Sequence, residues 1–300
     1  MNDIILHEVG LRDGLQIEKE TVPTEQKIKW IEALVGAGVD IIQVGSFVHQ
    51  QKVPQMADTD QLFRTLNEPG KRPPGVVLSG LVLNEKGLER GLACGVEYFC
   101  MGASASDTHS QKNTGMSAVE AADRIIATAK SAVSAGKAVQ VAVQSAFGCG
   151  YEGAIPEARV LDLVKRFLGA GLRTVSLADT AGHAYPEQVE RLFSQVRALD
   201  PEIEMVCHLH DTFGLGLANA MAALRAGVRV FEASFAGLGG CPFTAVAAGN
   251  IATEDLVHLL QRMNRRADIR LDRLIELAKD AERFFGRTLP GTIHRTGPVP

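Results

Sequence analysis

Residues 173–214, RTVSLADTAGHAYPEQVERLFSQVRALDPEIEMVCHLHDTFG, hold the pattern that decides the fold. A short, nearly continuously apolar run (TVSLAD) is followed by a longer amphipathic stretch and then by a second short run ending in CHLH. Strand, helix and strand in that order form the repeating unit of a parallel sheet. The unit recurs in both directions along the chain. Candidate strands lie at about 4–10, 41–47, 76–82, 97–103, 138–146, 173–179, 203–209 and 229–235, each followed by a helix-like segment. The runs IIQVGSF and RVFEASF, like TVSLAD, lack strict polar alternation, as strands covered on both faces should. TEQKIKWIEALVGAG, EARVLDLVKRFLGAG and ANAMAALRAG carry apolar residues at helical spacing and end in glycine, a common helix stop. Eight such units predict an α/β fold closed into a (β/α)8 TIM barrel. The expected organisation is one domain over 1–300, with extra C-terminal helices from about 254. The polar stretch SASDTHSQKNTGMS (104–117) reads as a mobile surface loop, and the tail TIHRTGPVP as loosely ordered.

Composition narrows the function. With 46% hydrophobic and 22% charged residues, the 300-residue chain can bury a large core without disulfide or metal staples. Thirty-one Lys+Arg against 35 Asp+Glu give a net charge of −4, which offers no footprint for nucleic acid. The five cysteines are scattered without CxxC spacing, which fits a reducing, cytoplasmic setting. Neither a leader pattern nor a membrane-spanning apolar run is present in the sequence, so no membrane partner is expected.

In a closed parallel barrel, chemistry collects where strands end and loops begin. Those ends carry Glu8, Arg12 and Asp13 after the first strand, Gln43 and Ser46 at the second, Asp179 and Thr180 at the sixth, and His208, His210 and Asp211 at the seventh; the eighth leads to Cys241. His208 and His210, at i and i+2 of a strand, share a face and can grip one cation, with Cys207 and Leu209 pointing away. Asp13 follows strand one, close to strand seven once the barrel closes, so its carboxylate can supply a third ligand. Two imidazoles with oxygen donors suit Mg2+ or Mn2+ and, less comfortably, Zn2+. Cys241 lies in GLGGCPF, a loop free enough to close over a ligand, and a thiol there can move a proton. Cys94 and Cys100 read as core positions, Cys149 has no assigned role, and Lys112 reads as a solvated lysine.

The motifs EVGLRDGLQIEK, VPQMAD, FGCGYEG, SLADTAG, CHLHDTFGLGLAN, GLGGCPF and GNIATEDLV, in that order over about residues 4–285, resemble the 3-hydroxy-3-methylglutaryl-CoA lyase family. The resemblance implies metal-dependent retro-Claisen cleavage of an acyl-CoA, giving acetyl-CoA and acetoacetate in the family's main activity. It also implies Asp13, His208, His210 and Asn250 as metal ligands, and Asn250 enters on this ground alone. Arg12, Cys241, His208 and Asp179 become the catalytic candidates, Lys19 and Ser46 the candidates for contacting the CoA thioester, and a homodimer the expected assembly. One position departs from the pattern: Gln43 stands where the family carries an acidic residue, so the acyl group can differ. Two further readings compete. One is a Claisen condensing acyltransferase of the isopropylmalate synthase type, disfavoured by GLGGCPF; the other is a catalytically impaired acyl-CoA-binding homologue, disfavoured by the intact Arg12, Asp13, His208, His210 and Cys241.

Overall fold

The structure, a computed structural model, describes residues 4–240 and 249–299. Eight parallel strands close into a barrel in chain order: β1 (Ile5–Glu8), β2 (Ile41–Ser46), β3 (Val77–Leu81), β4 (Tyr98–Ser104), β5 (Ala138–Gln144), β6 (Thr174–Ala178), β7 (Glu204–His208) and β8 (Val230–Ala233). β1 closes on β8 in the register Ile5↔Val230 to Glu8↔Ala233. The expected (β/α)8 architecture is thus observed. Helices cover the outside, and Trp30, Phe99, Phe167, Phe193 and Phe231 fill the space between strands and helices. Cys207 and Leu209 belong to this apolar core.

The barrel interior is unlike that layer. Register pairs His7 with Glu232, Gln43 with Ser79, Cys100 with Gln140 and His208 with Glu232, so a belt of buried polar groups runs around the inside. Buried polar groups persist only when hydrogen-bonded or held for use. Here many are linked: His7 Nε2 lies 2.9 Å from Ser79 Oγ, Tyr98 donates to Gln140 Oε1 at 3.2 Å, and Gln140 donates to Glu232 Oε1 at 2.6 Å.

Two expectations are corrected. The stretch 104–117 is not a loop, since Asp107–Thr114 is an α-helix. The hydroxyl of Ser106 caps it by accepting from His109 N, and the Glu152 carboxylate accepts from Ser106 Oγ and Thr108 N, both at 2.7 Å; a remote carboxylate thus stabilises the helix start. The tail is likewise ordered over Ile293–Thr296: Asp255 accepts from the backbone N–H of Thr292 and Ile293, and the buried His294 bridges toward Glu254 and Glu282. The expected C-terminal helices are Thr253–Arg262 and Leu271–Phe285.

Candidate active site

After β1 the chain enters a wide π-helical turn, Gly10–Gly14, in which Leu15 N donates to Gly10 O at 2.9 Å. Glycine is needed at both ends because the turn lies flat on the segment after β8. A Cβ on Gly10 would sit 2.6 Å from the Phe235 ring, and one on Gly14 2.9 Å from Leu238 Cβ. Glu8 anchors this arrangement and does not face the cavity chemistry. Its carboxyl accepts from Gly10 N at 2.7 Å, from Phe235 N at 3.0 Å and from the Thr253 hydroxyl. Burial, only partly offset by those bonds, pushes its pKa up to about 7.

The turn delivers Arg12 and Asp13 to the barrel mouth. Asp13 Oδ2 lies 3.9 Å from His208 Nε2 and 3.8 Å from His210 Nε2, and the donor atoms of the three residues all lie within 4.8 Å of one another. His208 ends β7, and His210 is held beyond the strand by a bridge to Asn250, with Asp211 N donating to Gly249 O and Ile251 N to Leu209 O. That bridge brings Asn250 into the cluster. Its Nδ2 donates to Asp13 Oδ2 at 2.8 Å and to Leu238 O at 3.1 Å, while its buried Oδ1 has no hydrogen-bond partner. Two ring nitrogens, a carboxylate oxygen and an unpartnered amide oxygen in one buried place form a donor set that could hold a divalent cation.

Electrostatics tune the cluster. Burial pushes the Asp13 carboxyl up, but the adjacent Arg12 guanidinium and the two histidines outweigh it and hold the group well below the usual carboxylate range. Arg12 contacts both Asp13 Oδ1 and Gln43 Oε1. Glu232 accepts from His208 Nδ1 at 2.8 Å. Burial raises the Glu232 carboxyl, yet that bond and the histidine charges bring it down to about 2; burial in turn lowers the His208 pKa, and the bond to Glu232 more than reverses this. With Nδ1 committed to Glu232, His208 presents Nε2 to the cluster.

Arg12, Asp13, Gln43, His208, His210 and Glu232 line one cavity of about 350 Å3. Lys112 lines it too, its Nζ 4.4 Å from the Tyr151 ring centre, so it is not the purely solvated lysine expected. Cys100 is buried as expected but also reaches the cavity. Asp179 is fully buried just behind it: its oxygens accept from His183 N at 2.8 Å and Ala184 N at 3.2 Å, and burial raises its pKa. Lys19 lines a neighbouring cleft of about 420 Å3 with Arg287 and Gly239, and Ser46 is buried outside both linings. Cys241 lies outside the described residues. Glu232 and Gln140 join the site without a sequence motif to mark them; the lone charge inside the apolar run RVFEASF is the signal for Glu232.

Comparison with known proteins agrees with this geometry. Residues 3–280 match the HMGL-like family model. The chain is 37% identical to the hydroxymethylglutaryl-CoA lyase of Bacillus subtilis, over 96% of this chain and 95% of that one. It is 35% identical to the (R)-citramalyl-CoA lyase of Chloroflexus aurantiacus, over 100% and 96%. The solved structure of an HMG-CoA lyase from Acinetobacter baumannii in complex with coenzyme A and 3-methylmalate superposes with a TM-score of 0.91, at 36% identity, over 99% of this chain and 98% of that one. The chain therefore belongs to the HMGL-like family and is a carbon–carbon lyase.

Proposed function

We propose that this lyase binds a divalent cation, Mg2+ or Mn2+, through Asp13, His208, His210 and Asn250 and cleaves 3-hydroxy-3-methylglutaryl-CoA or a closely related 3-hydroxyacyl-CoA. The convergence of Asp13, His208 and His210 at the cavity carries the reading, with the unpartnered Asn250 Oδ1 as its complement. A cation held there would lower the pKa of the substrate's tertiary hydroxyl.

The chain's own groups account for the remaining steps. The hydroxyl proton must go to a base as the carbon–carbon bond breaks. His208, whose Nδ1 is bonded to Glu232 and whose Nε2 faces the cluster, and Asp179, buried behind the cavity with its oxygens accepting from His183 N and Ala184 N, are the two groups proposed to relay it. The bonding electrons pass to the thioester as an enolate. Arg12 spends two contacts on Gln43 and Asp13 and keeps further N–H groups to stabilise that charge. Protonation of the enolate carbon is assigned to Cys241, and release of acetyl-CoA and of the keto acid formed from the carbinol carbon completes the reaction. Lys19 remains the proposed contact to the CoA thioester, in a cytoplasmic homodimer; Ser46, buried outside both cavities, does not keep the role expected of it.

The acyl group has two candidates, 3-hydroxy-3-methylglutaryl-CoA and citramalyl-CoA, the second favoured by the Chloroflexus relative and by Gln43. Purified protein is incubated with each thioester and Mg2+ or Mn2+, and acetyl-CoA is followed. Release that stops with chelator and returns with added cation is expected, and no release from either overturns the reading. Cys241→Ser should lose turnover while keeping metal affinity; a large loss of metal binding removes the role given to the thiol.

A further inference from the structure

The two halves of the cavity wall differ in chemistry. Arg12, Asp13, His208 and Glu232 come from β1, β7 and β8 or the turn after β1, and those three strands are neighbours in the closed barrel. Across from them the wall is apolar. Leu81 ends β3, Leu83 follows it, and Val48 and Val53 lie beyond β2; all four are half-buried and line the same cavity. Between β4 and β5 this wall has a notch. Inward positions of the two strands pair in register as Cys100 with Gln140, Gly102 with Ala142 and Ser104 with Gln144, so the middle row carries nothing larger than one methyl group. A Cβ on Gly102 would sit 2.8 Å from the Ala142 carbonyl oxygen, which keeps β4 bare at this row. The amide next to the notch makes no demand on a ligand, because Gln140 donates to Glu232 and accepts from Tyr98. Apolar side chains that face a cavity gain when an apolar part of the ligand covers them.

This wall is longer than a methyl branch needs. From Leu81 on β3 to Ala142 on β5 is two inter-strand spacings, roughly 10 Å at about 4.8 Å each. A methyl group reaches about 1.5 Å from the carbon that bears it, and a four-carbon chain roughly 5 Å. We propose that the notch at Gly102 and Ala142 receives an alkyl branch longer than methyl, so that the preferred substrates are 3-hydroxyacyl-CoA thioesters whose carbinol carbon carries a chain of about four carbons. The inference rests on the functional reading above and names the branch of the substrate. With the carbinol hydroxyl at Asp13, His208 and His210, the substituent directed away from those donors meets β3, β4 and β5. Cleavage of 3-butyl-3-hydroxyglutaryl-CoA then gives acetyl-CoA and 3-oxoheptanoate: the hydroxyl loses its proton, the carbon–carbon bond breaks, and one proton goes to the enolate carbon.

The test compares 3-hydroxy-3-methylglutaryl-CoA with 3-butyl-3-hydroxyglutaryl-CoA in wild type, Ala142→Leu and the smaller Ala142→Val, with Mn2+ present. Acetyl-CoA release gives kcat/KM and calorimetry gives Kd, with free CoA and Mn2+ affinities measured alongside. Wild type should favour the butyl thioester by about tenfold or more, since each of the three added methylenes is worth about fourfold when buried. Filling the notch should cut that preference by about tenfold in Ala142→Leu and about threefold in Ala142→Val, with free CoA and Mn2+ bound as before. The valine variant decides if the leucine variant does not fold. Wild type that binds and cleaves the methyl thioester at least as well as the butyl one overturns the proposal, and so does a preference that survives in the folded variants. Equal weakening toward free CoA also overturns it, because the wall would then carry the thioester arm. Wild type that binds the butyl thioester more tightly, loses this in the variants and releases no acetyl-CoA from either compound overturns the functional reading alone. Wild type that binds neither thioester overturns both.

Discussion

Two buried histidines in this barrel have similar first partners and different second ones. His208 Nδ1 lies 2.8 Å from Glu232, and its Nε2 stops 3.9 Å from Asp13. His294 Nδ1 lies 3.0 Å from Glu254, and its Nε2 lies 3.2 Å from Glu282. The second ring has a carboxylate on each side, hydrogen-bonded at Nδ1 and in ion-pair contact at Nε2, and works as a clasp, tying the C-terminal turn to the helix Thr253–Arg262 and, through Glu254 and Ala236 N, to the segment after β8. At the first ring the gap is wider, His210 Nε2 faces the same Asp13 oxygen at 3.8 Å, and the Asn250 amide is bonded to that oxygen through Nδ2. A histidine–carboxylate pair is therefore structural when carboxylates flank both nitrogens, and becomes a candidate ligand when one nitrogen faces a cluster of other metal-type donors.

The contrast can be broken most strongly at its open end. Asp13→Asn should lower kcat/KM by about a thousandfold or more, since a carboxylate donor is lost where charge stabilisation is worth several kcal/mol. The folded structure should survive, because the change sits at the barrel mouth and the amide oxygen still accepts from one of the two donors, Arg12 or Asn250. Circular dichroism with acetyl-CoA release checks both halves, and a variant with near-normal turnover sinks the assignment. At the closed end, His294→Phe leaves the buried Glu254 without its partner, so stability should fall by about 3–5 kcal/mol while kcat/KM per folded molecule stays within about twofold. Denaturant unfolding and activity of the folded fraction separate the two effects.

Glu232→Gln tests the carboxylate on Nδ1, a feature that His208 shares with His294. It retains an oxygen for His208 but removes the charge and turns an NH2 toward Gln140 Nε2, so Mn2+ affinity should weaken about 10–100-fold and the melting temperature should fall by a few degrees. Unchanged affinity would make Glu232 a bystander. The smallest effect concerns Glu8, whose folded pKa of about 7 exceeds the ordinary 4.5. A raised carboxyl favours the protonated form in the fold, so its contribution is complete below pH 4.5 and is lost as pH rises through 7. Relative to Glu8→Gln, which cannot ionise there, wild type should lose about 2–4 °C of melting temperature between pH 5 and pH 7.5. A wild-type-minus-variant difference that does not move with pH removes the argument.

Much of the site was legible before the fold was known. His208 and His210 follow from strand periodicity, and Asp13 from barrel closure, because a period of two and an ordered ring of eight strands leave little choice of neighbours. Asn250 was not legible from spacing. It reaches the cluster through a backbone bridge to His210 formed by a segment 40 residues away, and no local pattern encodes such a pairing. The helix Asp107–Thr114 was missed for a similar reason, since the carboxylate that stabilises its start comes from Glu152 on another loop.

The order of apolar runs, their spacing and the polar residues at their ends determined by themselves the barrel, the cavity's rim and the chemical type of its donors. These are local properties, written in hydrophobic period and residue identity. Which partners each donor and acceptor meets was decided only in three dimensions: Gln43 and Gln140 are the same residue in neighbouring contexts, and only packing turns one amide to Arg12 and the other to Glu232 and Tyr98. Satisfaction of a buried polar group depends on partners far away in the chain, and those partners are assigned by tertiary contact alone.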